Sequence, residues 1–235
     1  MQLVRLRRFV LFAVLAVAAT VGLAGCQTQP GTAAYVGGTR ITDTQVDQTV
    51  AKIQSDLAKY HPDTTFGIGD LRTYVIQRLV INELSRQYAQ EQNIAVPKPD
   101  YQSASAQIGL PADDPLVTLS ADEDGYRKAL LAKATPRQPT EDEIKGIYDK
   151  VTAAVGDLGD YNTVRPQIAA LPTLAPALGL KTELTDAAKR FGVGVSPRYQ
   201  PLTVPLLTIG SNPQVEIVTM PLGAAPGTPA VKDLR

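Results

Sequence analysis

Between Asp70 and Gln92 the chain meets neither glycine nor proline, and Leu71, Val75, Leu79, Ile81, Leu84 and Tyr88 recur at helical spacing. This pattern predicts a long helix with Asp70 as N-cap and one buried side, stopped by Asn93 and the "VPKP" after it. So long an amphipathic helix needs other elements to cover it, and its neighbours have the same period. Thr42, with Gln45 three residues on, reads as a helix start, and Val46, Val50, Ile53, Leu57 and Tyr60 then form a stripe that ends at His61-Pro62. "DYQSASAQIGL" is weakly helical, and "ADEDGYRKALLAKA" has the acidic start and basic finish that suit a helix macrodipole. Thr140 and Glu143 form a capping-box pattern ahead of Ile144, Ile147, Tyr148 and Val151. "YNTVRPQIAAL" and "TELTDAAKRFGV" complete the helices, joined by the proline-rich "PTLAPALGL".

Only the two ends change period. Ala34-Tyr35-Val36 reads as a short strand before a Gly37-Gly38 turn. Residues 201–222 hold two β-branched runs, "LTVPLLTI" and "QVEIVTM", separated by "GSNP", which read as a small hairpin. The expected class is therefore mainly α, with a few short strands contributed by the N- and C-terminal segments. Residues 223–235, rich in Pro, Gly and Ala without periodicity, are expected to be a disordered tail.

The first 25 residues obey another logic. Arg5, Arg7 and Arg8 precede an uncharged apolar run from Phe9 to Val21, too short for a comfortable membrane span and ending in Leu23-Ala24-Gly25. "LAGC" resembles the lipobox of bacterial lipoproteins. That resemblance implies that the Cys26 thiol takes a diacylglyceryl group, that a peptidase cuts before Cys26, and that the lipid anchors the chain at the extracytoplasmic membrane face. The competing reading is an ordinary secretory signal, or an uncleaved anchor helix, with Cys26 incidental. Residues 26–33 then serve as a tether.

Cys26 is the single cysteine, so the fold must stand on its core without a disulfide, and about 210 residues after the signal are enough for one good core. Basic and acidic residues balance at 23 each in the whole chain, and loss of the three signal arginines leaves the remainder slightly acidic. This balance speaks against nucleic-acid binding.

Three segments, taken in order, resemble the SurA- and PrsA-type extracytoplasmic folding factors. "AAYVGGTRITDTQVDQTV" is similar to their opening strand, turn and capped helix. "TEDEIKGIYDK" is similar to the approach to their parvulin domain, and "LTDAAKRFGVGVSPRYQ" to the segment on the far side of that domain. The resemblance spans most of residues 33–200 and implies N- and C-terminal segments packed together as one helical chaperone domain over 34–200. The sequence departs from the family in two places. Only nine residues, 152–160, separate Val151 from Tyr161, which leaves no room for an isomerase, and Gln200 stands where a glycine commonly comes after Pro-Arg-Tyr.

No catalytic residue, cofactor or metal site is expected. The single histidine, His61, stands beside Pro62 without a recognisable nucleophile motif and reads as a helix-end residue. "PADDP" and "ADEDG" lack the alternating oxygen ligands of an EF-hand and read as solvated loops and helix N-termini. "FGIGD" and "RFGVGV" lack the third glycine of a phosphate loop, and zinc needs more His or Cys than the chain has. What remains is binding. The expected partners are unfolded or newly exported polypeptides, held by apolar contacts for which Val75, Leu79 and Tyr88 are candidates, each with plain core packing as the alternative. A second possibility is an interaction lipoprotein that docks one cell-envelope partner. The residues carry no sign of a particular oligomeric state.

Overall fold

A computed structural model describes residues 30–63 and 67–223. The signal segment 1–25, Cys26, the start of the tether and the tail from residue 224 on lie outside the described residues. The mainly helical class holds, with strands from both ends of the chain.

β1 (Thr32–Val36) and β2 (Thr39–Thr42) form an antiparallel hairpin. The strand thus starts inside the expected tether, with Thr32 and Ala33 buried. Gly37 supplies the turn at φ 57°, a region open to glycine at little cost. The other edge of β1 pairs with β3 (Gly194–Val195), setting Ala34 opposite Val195 and Tyr35 opposite Gly194. The first and last parts of the helical frame are therefore joined by main-chain hydrogen bonds. A short 3₁₀ turn, Pro197–Tyr199, continues the junction. There the Tyr199 hydroxyl donates to Asp43 Oδ1 at 3.0 Å and Arg198 pairs with Asp43 Oδ2 at 2.9 Å.

α1 (Asp43–Tyr60) starts where the sequence marks it, with the Thr42 hydroxyl accepting from Gln45 N at 3.1 Å. Its stripe is buried from Val46 to Leu57, but Tyr60 is 44% exposed, because the helix runs past the elements that cover it. α2 (Ile68–Glu91) is the central element, packed by α1, α4 (Pro115–Leu131), α7 (Leu174–Phe191) and the strands. Its N-cap is Gly67, and Asp70 falls inside the first turn, where a carboxylate favours the helix dipole. Ile76, Val80 and Ala89 are buried as well as the expected stripe, while Leu79 is only partly covered. A helix surrounded on several sides has no single polar face.

The α2–α4 contact carries a polar seam. The Tyr74 hydroxyl meets Ser120 Oγ at 2.8 Å, Arg78 pairs with Glu123, and Asn82 Nδ2 donates to Leu119 O at 3.0 Å. Tyr74, Arg78 and Asn82 lie one turn apart, so these contacts set one register between the helices. α4 begins well before the acidic run expected to open it. Asp114 is the N-cap and Pro115 the first helical residue, so the run from Asp122 to Asp124 sits mid-helix. α3 (Tyr101–Ile108) packs on α4.

α5 (Glu141–Val155) has the full reciprocal capping box of Thr140 and Glu143. α6 (Tyr161–Ala169) packs back on it, with Tyr148 and Tyr161 edge to face at 5.2 Å. α7 takes in most of the proline-rich segment expected to be a linker. Pro176 lies in its first turn, where proline's missing N–H is not needed.

β4 (Leu202–Ile209) and β5 (Val215–Leu222) pair as an antiparallel hairpin. Ile217 and Val218 are neighbours and both buried, where the strand pairing slips and the inward-facing set changes parity. This hairpin covers α7, α5 and α2, and its buried residues belong to the same apolar cluster as the helices. Among the described residues, no helix is long and apolar enough to cross a membrane.

Candidate functional site

A long side chain at the C-terminal end of α2 can reach the middle of α7, and there the two helices enclose an open cleft of about 400 Å³. Tyr88, Glu91 and Gln92 line it from one side, and Glu183, Asp186 and Arg190 from the other. Its floor is a relay of hydrogen bonds. The Tyr88 hydroxyl donates to Glu183 Oε2 at 3.0 Å, and Glu183 Oε1 accepts from Thr135 N at 2.9 Å. Burial, then the Glu183 carboxylate, pushes the Tyr88 phenol up to about 12, so it stays a donor at neutral pH. At the rim Arg190 Nη2 donates to Glu91 Oε2 at 2.6 Å and holds that carboxyl below the usual carboxylate range. The cleft presents fixed acceptors and one guanidinium to a polar ligand. Hydrogen bonding and charge dominate its lining.

The candidates named from sequence lie apart in function. Val75 is 0% exposed and belongs to the core, so its side chain offers no surface in this arrangement. Leu79 is partly buried against the same cluster. Tyr88 is 7% exposed, its ring in the core and its hydroxyl at the cleft floor. Tyr88 stands nine residues beyond Leu79 on the same helix, on a different side from Val75 and Leu79. The three therefore form no common patch. Among the described residues, the exposed large apolar side chains are Tyr60 and Val155, 44% and 53% exposed and on different helices. Cys26 lies outside the described residues.

His61 caps the end of α1, with its Nε2 3.1 Å from Gly109 O, a structural tie between α1 and the end of α3. Among the described residues, no group of three or more His, Cys, Asp and Glu side chains is placed to hold a metal ion. The cleft residues Glu91, Gln92, Glu183, Asp186 and Arg190 were not singled out from sequence. Glu183 is 95 positions from Tyr88, and no local pattern relates the two. The one available signal was the set of charged residues at the end of α2 and along the second half of α7.

Residues 4–109 match the family model of the SurA-like N-terminal domain, a stretch that takes in the β1–β2 hairpin, α1, α2 and α3. The N-terminal part of the chain is thus similar to a SurA-like N-terminal domain. No curated protein and no solved structure matches the chain. The segments α4 to β5 lie beyond the matched residues and meet it through β3, α4 and α7.

Proposed function

We propose that this chain is a lipid-anchored, extracytoplasmic, chaperone-like protein that binds unfolded or newly exported polypeptides and has no prolyl isomerase activity. The observation that carries the reading is the SurA-like N-terminal domain, closed by the antiparallel pairing of β1 with β3 from the far end of the chain. Three further points support it. α5 and α6 are joined by the short segment 156–160, where the resemblance would place an isomerase domain. The chain's single histidine, His61, is tied at the end of α1, with its Nε2 3.1 Å from Gly109 O. The "LAGC" at Cys26, after an arginine-led apolar run, supports a lipid anchor on the outer face of the membrane.

A specific observation keeps a second reading alive, in which the chain docks a single cell-envelope partner. The described surface has few large exposed apolar side chains, and most apolar residues of α2 are core. A promiscuous holdase needs apolar surface.

One experiment separates the two. The protein is mixed at increasing ratios with several unrelated, chemically unfolded proteins, and aggregation is tracked by light scattering. Dose-dependent suppression across clients is expected for a general chaperone. No suppression with any client sinks that reading and points to a pull-down of one envelope partner. A proline-isomerisation assay is expected to show no acceleration. A Cys26→Ser variant is expected to leave the membrane fraction, and its retention there would remove the lipid anchor from the proposal.

A further inference from the structure

Asp114 is the N-cap of α4, and its side chain is 0% exposed. Its Oδ1 accepts from Leu116 N at 2.7 Å. Its Oδ2 is buried and finds no hydrogen-bond donor. The neighbouring group that acts on it is another carboxyl, that of Asp56 on α1, itself only 9% exposed and paired with Lys52. Two neighbouring carboxylates away from water cannot both stay ionised cheaply, and a buried acceptor with no donor is costly. One proton removes both problems: it rests on Asp114 Oδ2 and is donated to Asp56, while Oδ1 goes on capping α4.

We infer that Asp56 and Asp114 share a single proton that seats the N-terminus of α4 on α1, so that the seating is a pH-sensitive latch. Loss of the proton to water leaves a second buried negative charge, and the first turn of α4 lifts from α1. That turn carries Val117, a fully buried core residue. The charged groups around the pair are few. Lys52 and Lys59 on α1 and Asp113 beside Asp114 act on it. α3 contributes no titratable group except Tyr101, α4 none before Asp122, and on α2 Arg72 and Arg78 are already paired with Asp47 and Glu123. The directions of titration agree with the geometry. Burial, then the Asp56 carboxyl against the opposing Leu116 N–H, raises Asp114, and Lys52 lowers Asp56. Because Asp114 is raised in the folded chain, the stability it contributes is fully present below its ordinary carboxylate range and is lost as pH rises through its folded value.

The test uses the full chain. The side-chain carboxyl carbons of Asp56 and Asp114 are monitored by NMR across pH, and amide hydrogen exchange is measured at Leu116, Val117 and Thr118. Asp114 is expected to titrate above the usual carboxylate range and Asp56 below it. Beyond the intrinsic pH dependence of exchange, opening of the first turn should rise by up to about tenfold per pH unit once the proton leaves. In Asp114→Asn, whose amide donates permanently to Asp56 and whose carbonyl still accepts from Leu116 N, that extra rise should vanish. Two ordinary aspartate titrations would overturn the latch, as would the same extra rise in wild type and Asp114→Asn. If the variant does not fold, the titration of the unmodified chain decides alone.

Discussion

Glu83 shows how much one side chain on α2 can organise. Its Oε1 accepts from the Thr39 hydroxyl and from Gln87 Nε2, both at 2.7 Å, and Arg86 grips the same carboxylate. Gln87 also donates to Val36 O at 2.9 Å, so the β1–β2 turn is tied to the helix. The Arg86 guanidinium, against the opposing effect of burial and with help from Gln87 and Thr39, brings the Glu83 carboxyl down to about 2. Such a group adds stability that is present above its ordinary value of 4.5 and is lost as pH falls towards 2. Glu83→Gln should therefore cost roughly 1–3 kcal/mol at neutral pH and flatten the acid limb of the stability curve. Urea unfolding at pH 7 and pH 3 checks both. Gly179 makes a different kind of demand. A Cβ there would fall on Thr135 O, because the segment between α4 and α5 runs directly over α7, tied by Arg137 N to Ala175 O at 3.0 Å. Gly179→Ala should destabilise by about 1–3 kcal/mol despite alanine's better helix propensity, read by the same urea measurement.

Among the elements, α5 was the most legible, because its signals are local. Thr140 and Glu143 satisfy each other's backbone N–H groups within one turn, and Ile144 and Ile147 come next at the right spacing. Thr140→Ala should cost about 1 kcal/mol, measured by urea unfolding, with fraying of the first turn visible in hydrogen exchange. α4 and α7 are longer than their local sequence signals suggest, for a common reason. Proline and aspartate suggested loops, yet Asp114-Pro115 is a cap and a first helical position, and Pro176 sits where helices tolerate proline. Tyr88 belongs to this scale too. Its place within the helix was evident, but its hydroxyl acts only because α7 brings Glu183 to it. Tyr88→Phe should leave the core intact and cost about 1 kcal/mol through the lost hydrogen bond. A larger loss in urea unfolding would mean that the cleft floor also holds α7 in place.

At the scale of the molecule, the chain closes on itself. The matched N-terminal stretch ends at residue 109, but β1 needs β3 on its free edge, and α2 needs α4, α7 and β4 over its apolar sides. A fragment of residues 30–109 is therefore expected to show no cooperative unfolding transition, whereas the full chain shows one. A sharp transition in the fragment by far-UV circular dichroism would mean that the N-terminal part folds alone. The β4–β5 hairpin also belongs to this closure, since Leu202, Val204, Ile217 and Met220 lie in the shared core.

The amino-acid sequence by itself determined the elements whose causes are local: the capped starts of α1 and α5, the period of α2, the Gly37-Gly38 turn and the β-branched runs of the last hairpin. Each depends on side chains within a few residues of one another. The tertiary structure decided what depends on distant partners. It put Val75 in the core, set Tyr88 against Glu183, paired β1 with β3, and buried the carboxyl of Asp114 with one oxygen unpartnered. Burial and pairing of that kind arise only when helices far apart in the chain come together, because the free energy of a buried side chain is set by what surrounds it.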